Sequence, residues 1–98
     1  MKTIAVSSDD FQIDFHTAKD ISEATAAAIL GEVTCMSWFD REQNREAPAG
    51  VSECHDDSCE TPGYIDYATS RGAELKIDVG GGAFVFCYRS LGDFAEQG

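Results

Sequence analysis

The segment from Glu53 to Glu60 holds the residue types best suited to bind a metal or to carry redox chemistry. Its sequence, Glu-Cys-His-Asp-Asp-Ser-Cys-Glu, contains two of the four cysteines, one of the two histidines and four carboxylates, without a lysine or arginine. Such a set of ligands can bind a metal, close a small disulfide or form an ordinary polar loop. All three interpretations are open at this stage.

A metal site in this segment would use Cys54 and Cys59, with His55 or Asp57 as further ligands. Four residues separate the two cysteines, and structural zinc sites use spacings of this order but need four ligands. His55 directly follows Cys54, so both side chains reach one metal only where the backbone turns. Cys35 is another candidate ligand. Zinc or iron would be the cofactor, and a protein without any cofactor is an equal alternative.

The same cysteines could instead form a thiol–disulfide switch or the centre of a small enzyme. A bridge from Cys54 to Cys59 would close a six-residue loop and contribute roughly 2 kcal/mol on a loop-entropy estimate. A reactive thiol needs a nearby cation or a helix N-terminus, whereas carboxylates surround this pair and disfavour the thiolate. We therefore expect ordinary thiols, and we favour a binding protein over an enzyme.

The residues before this segment predict two strands, a helix and a third strand. Residues 2–7 predict a short strand, and the alternation of Phe11, Ile13 and Phe15 with polar residues predicts another extended piece. Thr17 is placed to cap a helix that stops at Gly31. The β-branched and aromatic run 33–40 predicts the next strand. The buried stripe expected on the helix is Ala18, Ile21, Ala24, Ala28 and Ile29.

The residues after position 40 predict a loop, a helix and a β-hairpin. Residues 41–50 are polar and predict a solvated loop, and 51–54 predict a short returning strand. Thr61 and Pro62 suit the start of a helix that ends at Gly72.

The hairpin turns at Gly80–Gly82, most simply through a two-residue Gly-Gly turn. An even loop places Phe84, Phe86 and Tyr88 on the face of Leu75, Ile77 and Val79. That register is favoured because each large side chain contributes roughly 1.5–3 kcal/mol on full burial. It also turns Cys87 away from the main core.

Composition and charge limit the classes of partner. Ninety-eight residues predict a single domain over 1–98, with an acidic C-terminal tail from about residue 90. A net charge of −11 argues against nucleic acid and anionic membranes. Divalent cations, basic proteins or cationic small molecules fit this charge better, and the alternative is that it only keeps a small protein soluble. Without a secretory or membrane-spanning apolar run, we expect a cytoplasmic location.

A series of short motifs, taken in their order along the chain, resembles a small uncharacterised prokaryotic family of about 100 residues, a domain of unknown function. The resemblance covers roughly residues 33–88 and implies a compact α+β domain, without an activity or catalytic residues to carry over. Family members favour a second glycine where this chain has Ala73. The motifs are Ser37-Trp38-Phe39-Asp40, Glu53-Cys54, Pro62-Gly63, Tyr67-Ala68, Ser70-Arg71-Gly72, Leu75-x-Ile77-Asp78 and Phe84-Val85-Phe86-x-Tyr88.

Together these observations predict an α+β fold, with a small antiparallel or mixed sheet and two helices. A sheet face left uncovered, with Met36 and Trp38 on it, would form a patch for a protein partner or for a second copy in a homodimer. Arg71 could anchor a partner there, although it could equally be an arginine near a helix C-terminus. The function favoured by the sequence is a non-enzymatic binding or accessory module.

Overall fold

The computed structural model of the protein describes residues 1–8, 10–49 and 63–91. These residues form a mixed sheet with two helices, which confirms the predicted α+β class. None of the described helices is both long and apolar enough to cross a membrane. In chain order the elements are β1 (Lys2–Val6), α1 (Phe15–Leu30), β2 (Val33–Asp40), β3 (Arg45–Ala47), α2 (Gly63–Ser70), β4 (Leu75–Val79) and β5 (Phe84–Ser90).

The five strands lie in the order β1-β4-β5-β2-β3. β1 is parallel to β4, and every other pair is antiparallel. In the β4–β5 hairpin, Val79 lies opposite Phe84 and Leu75 opposite Tyr88, so the predicted even register is confirmed.

The two helices pack on opposite faces of the sheet and make two separate apolar clusters. The cluster under α1 contains Ala18 and Ala26 with alternate residues of β4 and β5, among them Phe84 and Phe86. The cluster under α2 contains Tyr64 and Ala68 with Val85 and Cys87. Cys87 does turn away from the main core, as predicted, but it is fully buried beneath α2 and does not point outward.

The start and the buried stripe of α1 differ from the prediction. Asp14, not Thr17, is the N-cap, and the helix begins at Phe15, so the predicted extended piece stops at Asp14 and forms no strand of the sheet. The buried positions are Ala18, Ser22 and Ala26, whereas the predicted stripe residues Ala24, Ala28 and Ile29 are exposed. Small residues spaced four apart let the helix lie close to the aromatic surface of the sheet.

The predicted loop 41–50 contains the short edge strand β3, which pairs with the end of β2. The sequence did not indicate this strand because Arg45, Glu46 and Ala47 have little β-propensity of their own. The predicted strand 51–54 and the predicted helix start at Thr61 and Pro62 lie outside the described residues.

Candidate ligand-binding groove

An open groove with a volume of about 670 Å³ lies at one end of the sheet. It forms where β1, β4 and β2 end and where β5 and α1 begin, an arrangement that follows from the parallel β1–β4 pair and the antiparallel neighbours of β5. The described residues that line it are Ser8, Phe11, Gln12, Ile13, Asp14, Glu42, Gly80, Ala83 and Phe84.

One wall of the groove is the glycine turn between β4 and β5. The Ala83 N–H donates to Gly80 O at 3.4 Å, and Gly81 and Gly82 have φ of 65° and 92°. Positive φ at both central residues is what a type I′ turn requires, so Gly81 and Gly82 form a Gly-Gly turn at the centre of an even, four-residue connection between Val79 and Phe84. A Cβ on Gly80 would lie 2.9 Å from Ser8 Oγ, so glycine also permits the close approach of the chain leaving β1.

A second wall is the start of α1. Asp14 Oδ1 accepts a hydrogen bond from the Thr17 backbone N–H at 2.8 Å. This hydrogen bond lowers the pKa of the Asp14 carboxyl, because it stabilises the carboxylate and not the acid. Asp14 therefore presents an ionised carboxylate to the groove at neutral pH.

Two arginines near the groove are already engaged within the protein. The Arg41 guanidinium donates to Gly81 O at 3.0 Å and lies against Gly82. The Arg45 guanidinium lies 3.3 Å from Asp40 Oδ2, and that carboxylate is fully buried. The described groove lining itself contains Asp14 and Glu42 but no lysine or arginine.

Trp38 lies beside this end of the sheet, within the cluster under α1. Its ring centroid is 4.6 Å from that of Phe15, which in turn lies 6.2 Å from that of Phe84 in the groove wall. The Arg45 guanidinium carbon lies 5.9 Å from the Trp38 ring centroid. A direct binding role for Trp38 stays a prediction.

Met36 and Trp38 do not share a sheet face as expected. A bulge in β2 makes Met36 an extra residue between Cys35, which pairs with Tyr88, and Ser37, which pairs with Cys87. Met36 consequently packs in the cluster under α2, whereas Trp38 packs under α1. The structure therefore does not place these two side chains together as one patch.

Arg71 lies just beyond the end of α2. Its guanidinium donates to Ser70 Oγ at 3.1 Å and lies 3.8 Å from the Tyr67 ring centroid. This is the helix-terminal arrangement that the sequence offered as the alternative to an anchor role. A binding role for Arg71 stays a prediction.

The predicted metal ligands Cys54, His55, Asp57 and Cys59 lie outside the described residues. Among the described residues, no group of three or more histidine, cysteine or acidic side chains is arranged to hold a metal. Cys35 packs in the cluster under α1 and donates its thiol hydrogen to Ser37 O at 3.3 Å.

Burial controls the chemistry of the two described cysteines. It raises the pKa of Cys35 to about 11 and raises the pKa of Cys87 as well. A low-dielectric environment disfavours the thiolate, which is the nucleophilic and metal-binding form. At neutral pH these two thiols therefore stay protonated.

Sequence reasoning missed the groove, although one signal was present. Phe11 follows a turn-forming serine and aspartate run, and its side chain is 74% exposed in the structure. Its alternation with Ile13 and Phe15 indicates an extended segment and gives no sign that the ring stays exposed. The lining residues come from three separate parts of the chain, residues 8–14, Glu42 and residues 80–84, and have no common motif.

Comparisons with known proteins support the fold and identify the family. A crystal structure described as a novel protein, AF1514, from Archeoglobus fulgidus matches with a TM-score of 0.72 at 27% identity, covering 92% of this chain and 94% of that chain. A comparison with curated proteins finds no match. The family model described as "Domain of unknown function (DUF5619)" matches residues 1–88. Because that match spans most of the chain, the protein belongs to this family of unknown function, as its sequence motifs suggested.

Proposed function

We propose that the protein is a non-enzymatic binding module and that the groove at the end of the sheet is its ligand site. The observation that carries this proposal is the open groove of about 670 Å³ with the exposed Phe11 ring among its lining residues. Ligand sites are commonly concave clefts, and this volume lies in their usual range. Phe11, Ile13, Ala83 and Phe84 supply the apolar surface.

The backbone around the groove is held in place before any ligand arrives. The Asp14 cap fixes the start of α1, and the type I′ turn fixes the hairpin. The Gly82 N–H donates to Asp78 Oδ1 at 2.5 Å, which ties the turn to β4. A site that is already ordered loses less conformational entropy on binding, which supports a binding role.

The burial and the positions of the two described cysteines support a binding function more than thiol chemistry. Cys35 and Cys87 are held protonated by burial and lie on opposite sides of the sheet. The alternative functions at Cys54 and Cys59, a metal site or a thiol switch, stay predictions that metal analysis and thiol counting can test.

The test is a ligand-observed and protein-observed NMR screen with fragments that are neutral, cationic and anionic. We expect fragment binding to shift the backbone amides of Phe11, Gln12, Gly80 and Ala83 together. Gln12→Arg would place a long side chain in the groove and should weaken those fragments. Thr69→Arg, at an exposed position of α2 on the opposite face, is the matched control.

Two results would contradict the proposal. The first is a screen in which hits shift amides elsewhere and leave the groove unchanged. The second is equal weakening by Gln12→Arg and Thr69→Arg, because an effect of added charge alone would not depend on position.

A further inference from the structure

We propose that the groove binds an arginine side chain presented by a basic segment of a partner protein. This inference rests on the proposed function, since it names the ligand class of the same groove. It starts from the combination of an exposed aromatic ring, Phe11, with two carboxylates, Asp14 and Glu42, along one open groove.

The charge of the groove favours a cation. Asp14 stays ionised because its cap hydrogen bond stabilises the carboxylate. The nearby Arg45 guanidinium is balanced by buried Asp40, so among these side chains the two lining carboxylates are set against the single positive charge of Arg41, which donates to Gly81 O. The chain as a whole carries a net charge of −11, which would draw a basic partner toward the protein.

The same protein shows how a ring and a carboxylate together hold a guanidinium. Arg45 places its guanidinium carbon 5.7 Å from the Phe15 ring centroid while its Nη2 lies 3.3 Å from Asp40 Oδ2. Phe11 and Asp14 offer the same two chemical groups in the groove. Arginine suits this pairing better than lysine, because its planar guanidinium stacks on rings and matches carboxylate geometry.

The shape of the groove favours a side chain on a polypeptide over a small molecule that must be enclosed. It is open to solvent, and Phe11 remains 74% exposed beside it. An apolar ring at such a rim can cover the methylene stem of an arginine while the charged end reaches the carboxylates. The occupant is therefore a segment of a basic partner.

The probe is a synthetic peptide of alternating arginine and glycine, with an otherwise identical peptide in which citrulline replaces arginine. Citrulline keeps the shape of the side chain and removes its charge. Binding can be followed by calorimetry and by fluorescence of Trp38, the single tryptophan, whose ring centroid lies 4.6 Å from that of Phe15 beside the groove. We expect the arginine peptide to bind at low salt and the citrulline peptide to bind at least about tenfold more weakly.

Variants separate the groove from the overall negative charge. Asp14→Asn removes the charge and keeps a good N-cap, so folding is preserved while affinity falls about fivefold to tenfold. Glu42→Gln should act in the same direction, and the double variant should be weaker than either. Asp20→Asn, at an exposed position further along α1, is the charge-matched control and should leave affinity within about twofold.

Each remaining outcome overturns the inference. Equal losses of peptide affinity in Asp14→Asn and Asp20→Asn would show that the peptide is attracted to the whole acidic chain and not to the groove. Equal binding of the citrulline peptide would show that charge is not recognised. If the arginine peptide fails to bind while neutral or anionic fragments still shift the groove amides, this inference fails and the proposed binding function stands.

Discussion

Two buried serines should respond in opposite ways to replacement by alanine, one variant being more stable than the natural protein and the other less stable. Ser22 in α1 is 0% exposed, and its Oγ has no hydrogen-bond partner among the described residues. Ser37 in β2 is 2% exposed, and its Oγ donates to Tyr64 O at 2.7 Å. Serine to alanine should therefore stabilise the fold at position 22 and destabilise it at position 37.

The magnitudes follow from the cost of burying an unpaired hydroxyl. Ser22→Ala removes a hydroxyl that is desolvated without compensation, which should raise the free energy of unfolding by about 1–3 kcal/mol. Alanine also favours the helix by a few tenths of a kcal/mol, about 0.5 at most. Ser37→Ala breaks a buried hydrogen bond, which should lower the free energy of unfolding by about 1–3 kcal/mol.

The assay is urea unfolding followed by circular dichroism. With a urea dependence of about 1–3 kcal/mol per molar for a small domain, the two midpoints should move in opposite directions by about 0.3 M or more. Ser70→Ala, at an exposed position of α2, should change the free energy of unfolding by less than about 0.5 kcal/mol. Midpoints that move in the same direction, or a Ser22→Ala variant destabilised by more than about 1 kcal/mol, would refute the reasoning.

Three further predictions test the turn, the helix cap and the cysteine segment. Gly81→Ala should lower the free energy of unfolding by about 1–2 kcal/mol, because the φ of Gly81 is positive. No further steric cost is expected, since the space around Gly81 is open. Gly82→Ala should lower the free energy of unfolding by a similar amount, because the Arg41 guanidinium that the added methyl would meet is the exposed end of a flexible side chain and can move aside; urea midpoints that differ by more than about 0.5 M would contradict this. The lowered pKa of Asp14 means that its contribution to stability is complete above its unfolded pKa near 3.8 and is lost as pH falls through the lower folded value. Asp14→Asn should therefore reduce the acid sensitivity of the thermal midpoint, and an unchanged pH profile would count against it. If Cys54 and Cys59 bind zinc or iron, untagged protein should contain near-stoichiometric metal, and Cys54→Ser should lower metal content and thermal midpoint together; four freely reactive thiols without metal would sink that interpretation.

Four of the five described strands could be predicted from sequence, and β3 could not. β2 runs over the predicted residues 33–40, and β4 and β5 form the predicted hairpin in the predicted register. These signals are local, because alternation along one strand fixes which residues share a face and a Gly-Gly turn fixes how two strands meet. The family resemblance likewise depended on short motifs in order.

The start of α1 and its buried stripe required the tertiary structure. Phe15 begins the helix, where its ring packs against Trp38 and Phe86, a contact that the alternation around Phe11 did not indicate. The helix buries Ser22 and exposes Ile29, because closeness to the sheet favours small side chains over apolar ones. Hydrophobicity alone could not show this.

The sequence by itself determined the α+β class, the strand alternation and the strongly acidic character of the protein. Only the tertiary structure decided which residues meet at the groove, because the parallel pairing of β1 with β4 brings Ser8 and Asp14 next to Gly80 and Phe84. It also decided the face of Trp38, because one extra residue in β2, Met36, shifts the alternation by one position. Both outcomes depend on pairing between distant segments, and the free energy of that pairing is set by packing across the whole sheet and not by any local run of residues.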